Sequence, residues 1–150
     1  MEHHNNPTSD VMRILRKQLG NRIGDYTLPP PVFVAMQGQF LDVDLNAGVL
    51  RARFPVLERY LNPYDTMQGG MIAAAVDNTI GPLSVLVAPP NVTRRLRMTY
   101  SRPVTLEIGH IVVRAELLER DERWLFFRAE VHSPEGQRLA RSRAKHWIVG

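Results

Sequence analysis

Hydrophobic and polar positions fall into three regimes along the chain. Near the start, Val11, Ile14, Leu15 and Leu19 recur at helical spacing, Ser9 or Asp10 can supply the cap, and Gly20 the stop. That spacing predicts a short amphipathic helix from Ser9 to Leu19. The run Leu28-Pro29-Pro30-Pro31 cannot continue a helix and reads as an extended connector. From Val32 onward the pattern turns to strands. Phe40, Asp42 and Asp44 alternate with Leu41, Val43 and Leu45; Asn46-Ala47-Gly48 offers a turn, and Val49 to Val56 returns as a second strand.

The second regime begins after a turn-rich loop, Leu61 to Gly70. Met71 to Val76 is apolar in every direction, as expected of a helix buried on all faces. Gly81-Pro82 is expected to kink or end that helix, because proline lacks the amide donor and crowds the preceding turn. In the third regime four strands follow one another: Thr93 to Ser101, Gly109 to Glu119, Arg123 to His132 and Arg138 to Val149. Asp121-Glu122 and Pro134-Glu135-Gly136 mark two of the turns. Strand, strand, helix and four strands make an α+β arrangement, with one long helix against an antiparallel sheet.

Composition narrows the function classes. The 150 residues fit one compact domain, here divided into an N-terminal tail, helix and connector (1–31) and a main domain (32–150). Hydrophobic residues at 44% and charged residues at 23% suit a globular chain. No run approaches eighteen apolar residues, so no membrane span is expected. The first ten residues lack the basic and apolar regions of a secretory signal. Cysteine is absent, which excludes disulfides and thiolate chemistry and fits a reducing compartment; the expected location is cytoplasmic. The net charge of +4 comes mostly from arginine, but no nucleic-acid-binding motif or aromatic stacking pattern accompanies it.

Asp77 is the residue that demands an explanation. It follows the apolar run on the helix expected to be most buried, where a carboxylate must be hydrogen-bonded, protonated or open to a cleft. It could also cap a second helical segment beginning near Asn78. Gly69-Gly70 lies at the expected N-terminus of the same helix, where unpaired amides and the positive end of the helix dipole suit an oxyanion or a polarised carbonyl. The two glycines equally allow a tight entry from loop to helix.

The stretch from Asn62 to Asn78, NPYDTMQGGMIAAAVDN, resembles the signature of hotdog-fold acyl-CoA thioesterases, above all the phenylacetyl-CoA and 4-hydroxybenzoyl-CoA thioesterases with the acid on the central helix. Their pattern is an Asn, six residues on a His-Gly-Gly, and nine residues after that His an Asp or Glu. Asn62, position 68 and Asp77 keep both spacings. The following Thr93 to Pro103, with Tyr100 and Pro103 in a Tyr-x-x-Pro ending, resembles the family's next strand.

The resemblance spans about Val32 to Val149 and implies a hotdog fold: an antiparallel sheet wrapped around a central helix, here with an N-terminal helix added. It implies hydrolysis of a small or medium acyl-CoA, aromatic acyl groups included, with coenzyme A as part of the substrate and no separate cofactor. By the same resemblance Asp77 is the nucleophile or general base, the Gly69 amide polarises the thioester carbonyl, Asn62 positions the thioester or water, and Thr93 orients the water. It further implies a homodimer, commonly a dimer of dimers, in which Asp77 and Thr93 face Asn62, Gln68 and Gly69 of the partner. One departure stands out. The family's His is Gln68 here, which exchanges hydrogen bonds but does not titrate near neutrality.

Arg95, Arg97 and Arg102 are candidates for the coenzyme A phosphates, against a plain reading as solvated strand faces. Alternation puts Arg95 and Arg97 on one face and Arg94 on the other. His110, His132 and His146 lack metal-ligand spacing, His3-His4 lies in the tail, and no metal is assigned. Ser84 and Ser101 lack a nucleophile elbow. Two rival readings accompany the thioesterase. One is a non-catalytic module binding acyl-CoA as sensor or scaffold, which Gln68 favours. The other is a hotdog hydratase, which needs a paired acid and histidine, and no His lies near Asp77 in sequence.

Overall fold

The computed structural model describes residues 6–150, so His3-His4 lies outside the described residues. Helix α1 (Pro7–Leu19) starts two residues earlier than its apolar spacing predicts. Asn6, not Ser9 or Asp10, is its cap: the Asn6 side chain accepts from the Thr8 amide, and Pro7 suits the first turn, where an amide would go unpaired anyway. Gly20 ends it as expected, at φ 54°, its amide bonded to the Arg16 carbonyl. Val11, Met12 and Leu15 enter the same buried cluster as the main domain.

A second correction concerns the residues after the prolines. Pro31–Ala35 forms a short helix, α2, rather than extending into a strand. Pro31 at its first position is already set for helical φ, and Phe33 is carried into the core between Phe40 and Phe54. Strand pairing begins at β1 (Gln39–Asp44), which turns through Asn46-Ala47-Gly48 into β2 (Val49–Pro55). A bulge between Phe40 and Asp42 changes the phase of the alternation, so Phe40 and Val43 both reach the core.

The central helix α3 runs unbroken over Gly69–Val87, with Pro82 inside it. The expected break at Gly81-Pro82 does not occur, and Asp77 caps nothing. Pro82 and its neighbours Leu83 and Ser84 are buried, so packing holds the backbone helical across the missing bond. The Ser84 hydroxyl also donates to the Gly81 carbonyl at 2.6 Å. Length and apolar composition would let α3 pass for a membrane span, and it owes both to its place against the sheet.

Strands β3 (Asn91–Tyr100), β4 (His110–Arg120), β5 (Trp124–His132) and β6 (Arg138–Ile148) complete a six-stranded antiparallel sheet in the order β1-β2-β4-β5-β6-β3. Alternation sorts its two faces. Phe54, Ile111, Val113, Leu125, Phe127, Ala140 and Ala144 pack on the helix side, while Arg97, Arg128, Arg141 and Arg143 stand on the other. Helix α3 is not buried all round, in contrast to its apolar sequence. Ile72, Ala75, Val76, Thr79, Ile80 and Leu83 face the sheet, while Gly70 and Asp77 lie on an outward stripe with the half-buried Ala73, Ala74 and Gly81.

Candidate active site

Asp77 sits halfway along α3 at the mouth of a cleft of about 260 Å³. One wall is the outer turn of α3, from Asn78 to Val85. The opposite wall is Asn91 and Thr93 of β3 with His146 of β6, and the connector from Tyr26 to Pro30 closes a third side. The residue is exposed, yet these walls take water from part of its carboxylate. That desolvation pushes the Asp77 carboxyl above the usual carboxylate range, and the Thr93 hydroxyl, 3.5 Å from Oδ1, offsets it only in part. Of the three settings open to a carboxylate on this helix, the fold provides the cleft, with one long hydrogen bond from Thr93.

Thr93 is where β3 meets β6, directly across from His146. The His146 Nε2 lies 3.3 Å from the Thr93 hydroxyl, and its Nδ1 lies 2.8 Å from Asn91 Oδ1. The ring is 2% exposed, with Phe127 beside it. Burial holds its pKa down at about 4, so the ring is neutral. Sequence reading leaves His146 among scattered histidines. The pairing of strands fifty-three positions apart brings it to the acid, and the one signal for it was its place opposite Thr93 in the β3–β6 ladder.

A second constellation lies at the N-terminus of α3. Gln68 is the residue before the helix, its carbonyl receiving the Met71 and Ile72 amides. Its exposed side chain makes no capping bond. The amides of Gly69 and Gly70 have no acceptor among the described residues and open the helix with its positive end. Tyr100 lies against Gly69, its hydroxyl donating to the Gly69 carbonyl at 2.6 Å, and a methyl group on Gly69 would come within 3.1 Å of the ring. A cleft of about 400 Å³ beside it is lined by Thr66, Ile72, Tyr100 and Arg102.

Asn62 stands below this end of the helix, with its side-chain oxygen committed to its own loop. It accepts from the Tyr64 and Thr66 amides and from the Thr66 hydroxyl, leaving the amide NH2 as the group it can offer outward. Arg102 borders the Gly69 cleft, but Arg95 and Arg97 pair with Lys145 and Arg143 on the far face of the sheet. The three arginines therefore do not converge. Eight residues of helix separate Gly69 from Asp77, a rise of about 12 Å, so one chain does not bring the two groups onto one carbonyl.

The architecture has solved counterparts. A phenylacetic acid degradation-related protein from Ralstonia eutropha JMP134, described as a candidate thioesterase, matches with a TM-score of 0.76 and 26% identity, over 92% of this chain and 98% of that one. The chain has the hotdog fold, and the solved structures it resembles include thioesterases. The E. coli PaaI protein of the phenylacetic acid degradation operon shares the fold at a TM-score of 0.78 and 13% identity, covering 93% of this chain and 96% of its own. So does a hypothetical thioesterase protein from Streptococcus pneumoniae TIGR4 solved with coenzyme A, at 0.69 and 15%, over 75% and 86%. No family model and no curated protein matches the sequence. Within the hotdog frame, α3 is the central helix, and Asp77 and the Gly69 amide occupy its middle and its start.

Proposed function

We propose that this hotdog protein hydrolyses the thioester of a small or medium acyl-CoA, aromatic acyl groups included, with Asp77 as general base. The observation that carries the reading is Asp77 itself: a carboxylate open to a cleft, made more basic by its walls, beside a hydroxyl that can hold water. The solved relative with 26% identity, itself described as a candidate thioesterase, supports the reaction class.

In the reaction, Asp77 takes a proton from water as the water oxygen attacks the thioester carbonyl carbon. The resulting oxyanion is held by the unpaired Gly69 amide at the positive end of α3. Collapse breaks the C–S bond, and the proton on Asp77 passes to the departing thiolate, giving a carboxylic acid and coenzyme A. Because Gly69 and Asp77 stand about 12 Å apart in one chain, the working site combines Asp77 and Thr93 of one protomer with Gly69, Gln68 and Asn62 of a second. The outward stripe of α3, with small residues around Asp77, is the surface that would meet it. Arg102, beside Gly69, is placed to take a phosphate of coenzyme A; Arg95 and Arg97, on the far face, serve another chain or none.

Thiol release from a panel of acyl-CoA esters, native protein against Asp77→Ala, tests the reading. Hydrolysis that disappears with the carboxylate supports it. Tight acyl-CoA binding with no turnover by the native protein would replace it with the sensor or scaffold, the reading favoured by an uncharged Gln68 whose side chain makes no capping bond at the helix start. The hydratase gains a histidine near the acid but loses the geometry. His146 is buried behind Thr93, and its Nε2 is already met by the Thr93 hydroxyl.

A further inference from the structure

Three groups stand behind Asp77 in a fixed order, and their hydrogens can be assigned by elimination. The Asn91 amide NH2 lies 2.9 Å from the Pro89 carbonyl and 3.3 Å from the Ser84 carbonyl. Both partners only accept, so the NH2 points at them and the amide oxygen faces His146 Nδ1 at 2.8 Å. An amide oxygen also only accepts. The hydrogen of the neutral ring is therefore on Nδ1, and Nε2 carries a bare lone pair. That lone pair meets the Thr93 hydroxyl at 3.3 Å, and with the residue 2% exposed the hydroxyl is the partner at hand.

Thr93 has one hydrogen and two acceptors competing for it: His146 Nε2 at 3.3 Å and Asp77 Oδ1 at 3.5 Å. We infer that Asn91 and His146 form a positioning relay that draws the Thr93 hydrogen inward, leaving the hydroxyl oxygen as an acceptor toward the cleft. This rests on the thioesterase reading and deepens it. Asp77 is then denied a donor that would stabilise its charge, and it stays the stronger base. A water between Asp77 and Thr93 gives one hydrogen to each, which turns an oxygen lone pair away from both. The charged or titratable neighbours of this group are Asp77 on α3, Tyr26 in the connector, His146 on β6 and Arg94 at the bulge of β3; from β5 the neighbours of His146 are the apolar Leu125 and Phe127.

The relay is readable without substrate. Nitrogen NMR of the histidine rings in the native protein should find His146 protonated at Nδ1 and bare at Nε2 across the neutral range. The opposite tautomer overturns the inference. Carbon NMR of the Asp77 carboxyl gives the second reading. In His146→Phe the Thr93 hydroxyl is released to Asp77, and the carboxyl should titrate lower by about half to one pH unit, the worth of one hydrogen bond.

His146→Gln, which can present an acceptor to Thr93, should restore the native midpoint, and in a Thr93→Val background the His146→Phe effect should vanish. Where His146→Phe does not fold, Asn91→Ala keeps the ring, frees its tautomer and should lower the Asp77 midpoint in the same direction. An Asp77 midpoint that stays put in every folded variant sinks the relay. Should the native protein hydrolyse no thioester, the functional reading fails while these spectra still decide the relay. Where it does, the acid limb of kcat/KM should move with the carboxyl midpoint.

Discussion

Asp77 and His146 depart from their ordinary acidities in opposite stability senses. Burial raises the Asp77 carboxyl, so the fold favours its protonated form; that stabilisation is present at low pH and is lost as pH rises through the raised value. At neutral pH the ionised carboxylate is a standing cost. Asp77→Asn removes the charge and keeps the shape, so it is expected to raise Tm at neutral pH, with the gain fading in acid. Thioester hydrolysis should fall about 100-fold or more in the same variant, the usual worth of a positioned general base. Calorimetry and thiol release on one preparation check both halves.

His146 runs the other way. Its folded value of about 4 lies below the unfolded value near 6.5, so its contribution is complete above that upper value and is lost as pH falls toward 4. The acid loss from this one ring is on the order of 3 kcal/mol. Denaturant unfolding of the native protein and of His146→Gln should give curves that converge across that window; parallel curves would mean the ring is not buried neutral.

At the scale of elements, α3 carries both halves of the proposed chemistry, and Gly69 is where its start can be tested alone. Gly69 is the first helical residue, and Gln68 before it has φ −57° and ψ 137°, a conformation suited to the residue preceding proline. Gly69→Pro therefore deletes the amide hydrogen; of the three ring carbons it adds, Cβ comes within 3.1 Å of the Tyr100 ring, which lies on the surface and can yield. The expected result is a Tm within a few degrees of native and a kcat reduced about 100-fold or more, as when one oxyanion donor is removed. Undiminished hydrolysis would exclude the helix start from the site.

The same helix marks what the sequence could and could not reveal. Its start at Gly69-Gly70, the four later strands and the hairpin turn at Asn46-Ala47-Gly48 were all legible, because turn residues and alternation are local signals. Its continuation through Pro82 was not, since burial among distant strands outweighs a local breaker. Nor was the helix at Pro31–Ala35, where proline sits at a first turn instead of stopping one. In the site, the spacing of Asn62, Gly69 and Asp77 was legible, and the Thr93 hydroxyl lies 3.5 Å from the Asp77 carboxylate. His146, Asn91 and the wall from Tyr26 to Pro30 were not, because contacts between such distant segments leave no periodic trace.

For the whole molecule, the distance between the half-sites sets the decisive experiment. If Asp77 works with the Gly69 of a second protomer, each single variant lacks one half of every site. Subunits of Asp77→Asn still carry an intact helix start, and subunits of Gly69→Pro still carry an intact acid. Mixed by mild unfolding and refolding in equal amounts, about half of the dimers become hybrids, each with one complete site and one doubly defective site, so activity should return to about a quarter of native. Neither parent reaches that level alone, and dilution to the monomer should abolish it. A site completed within one chain predicts no recovery at any mixing ratio. The outward stripe supplies a control: Gly81→Arg places a long cation beside Asp77 on the proposed contact face, and should yield folded monomers by light scattering that neither hydrolyse thioesters nor complement either variant.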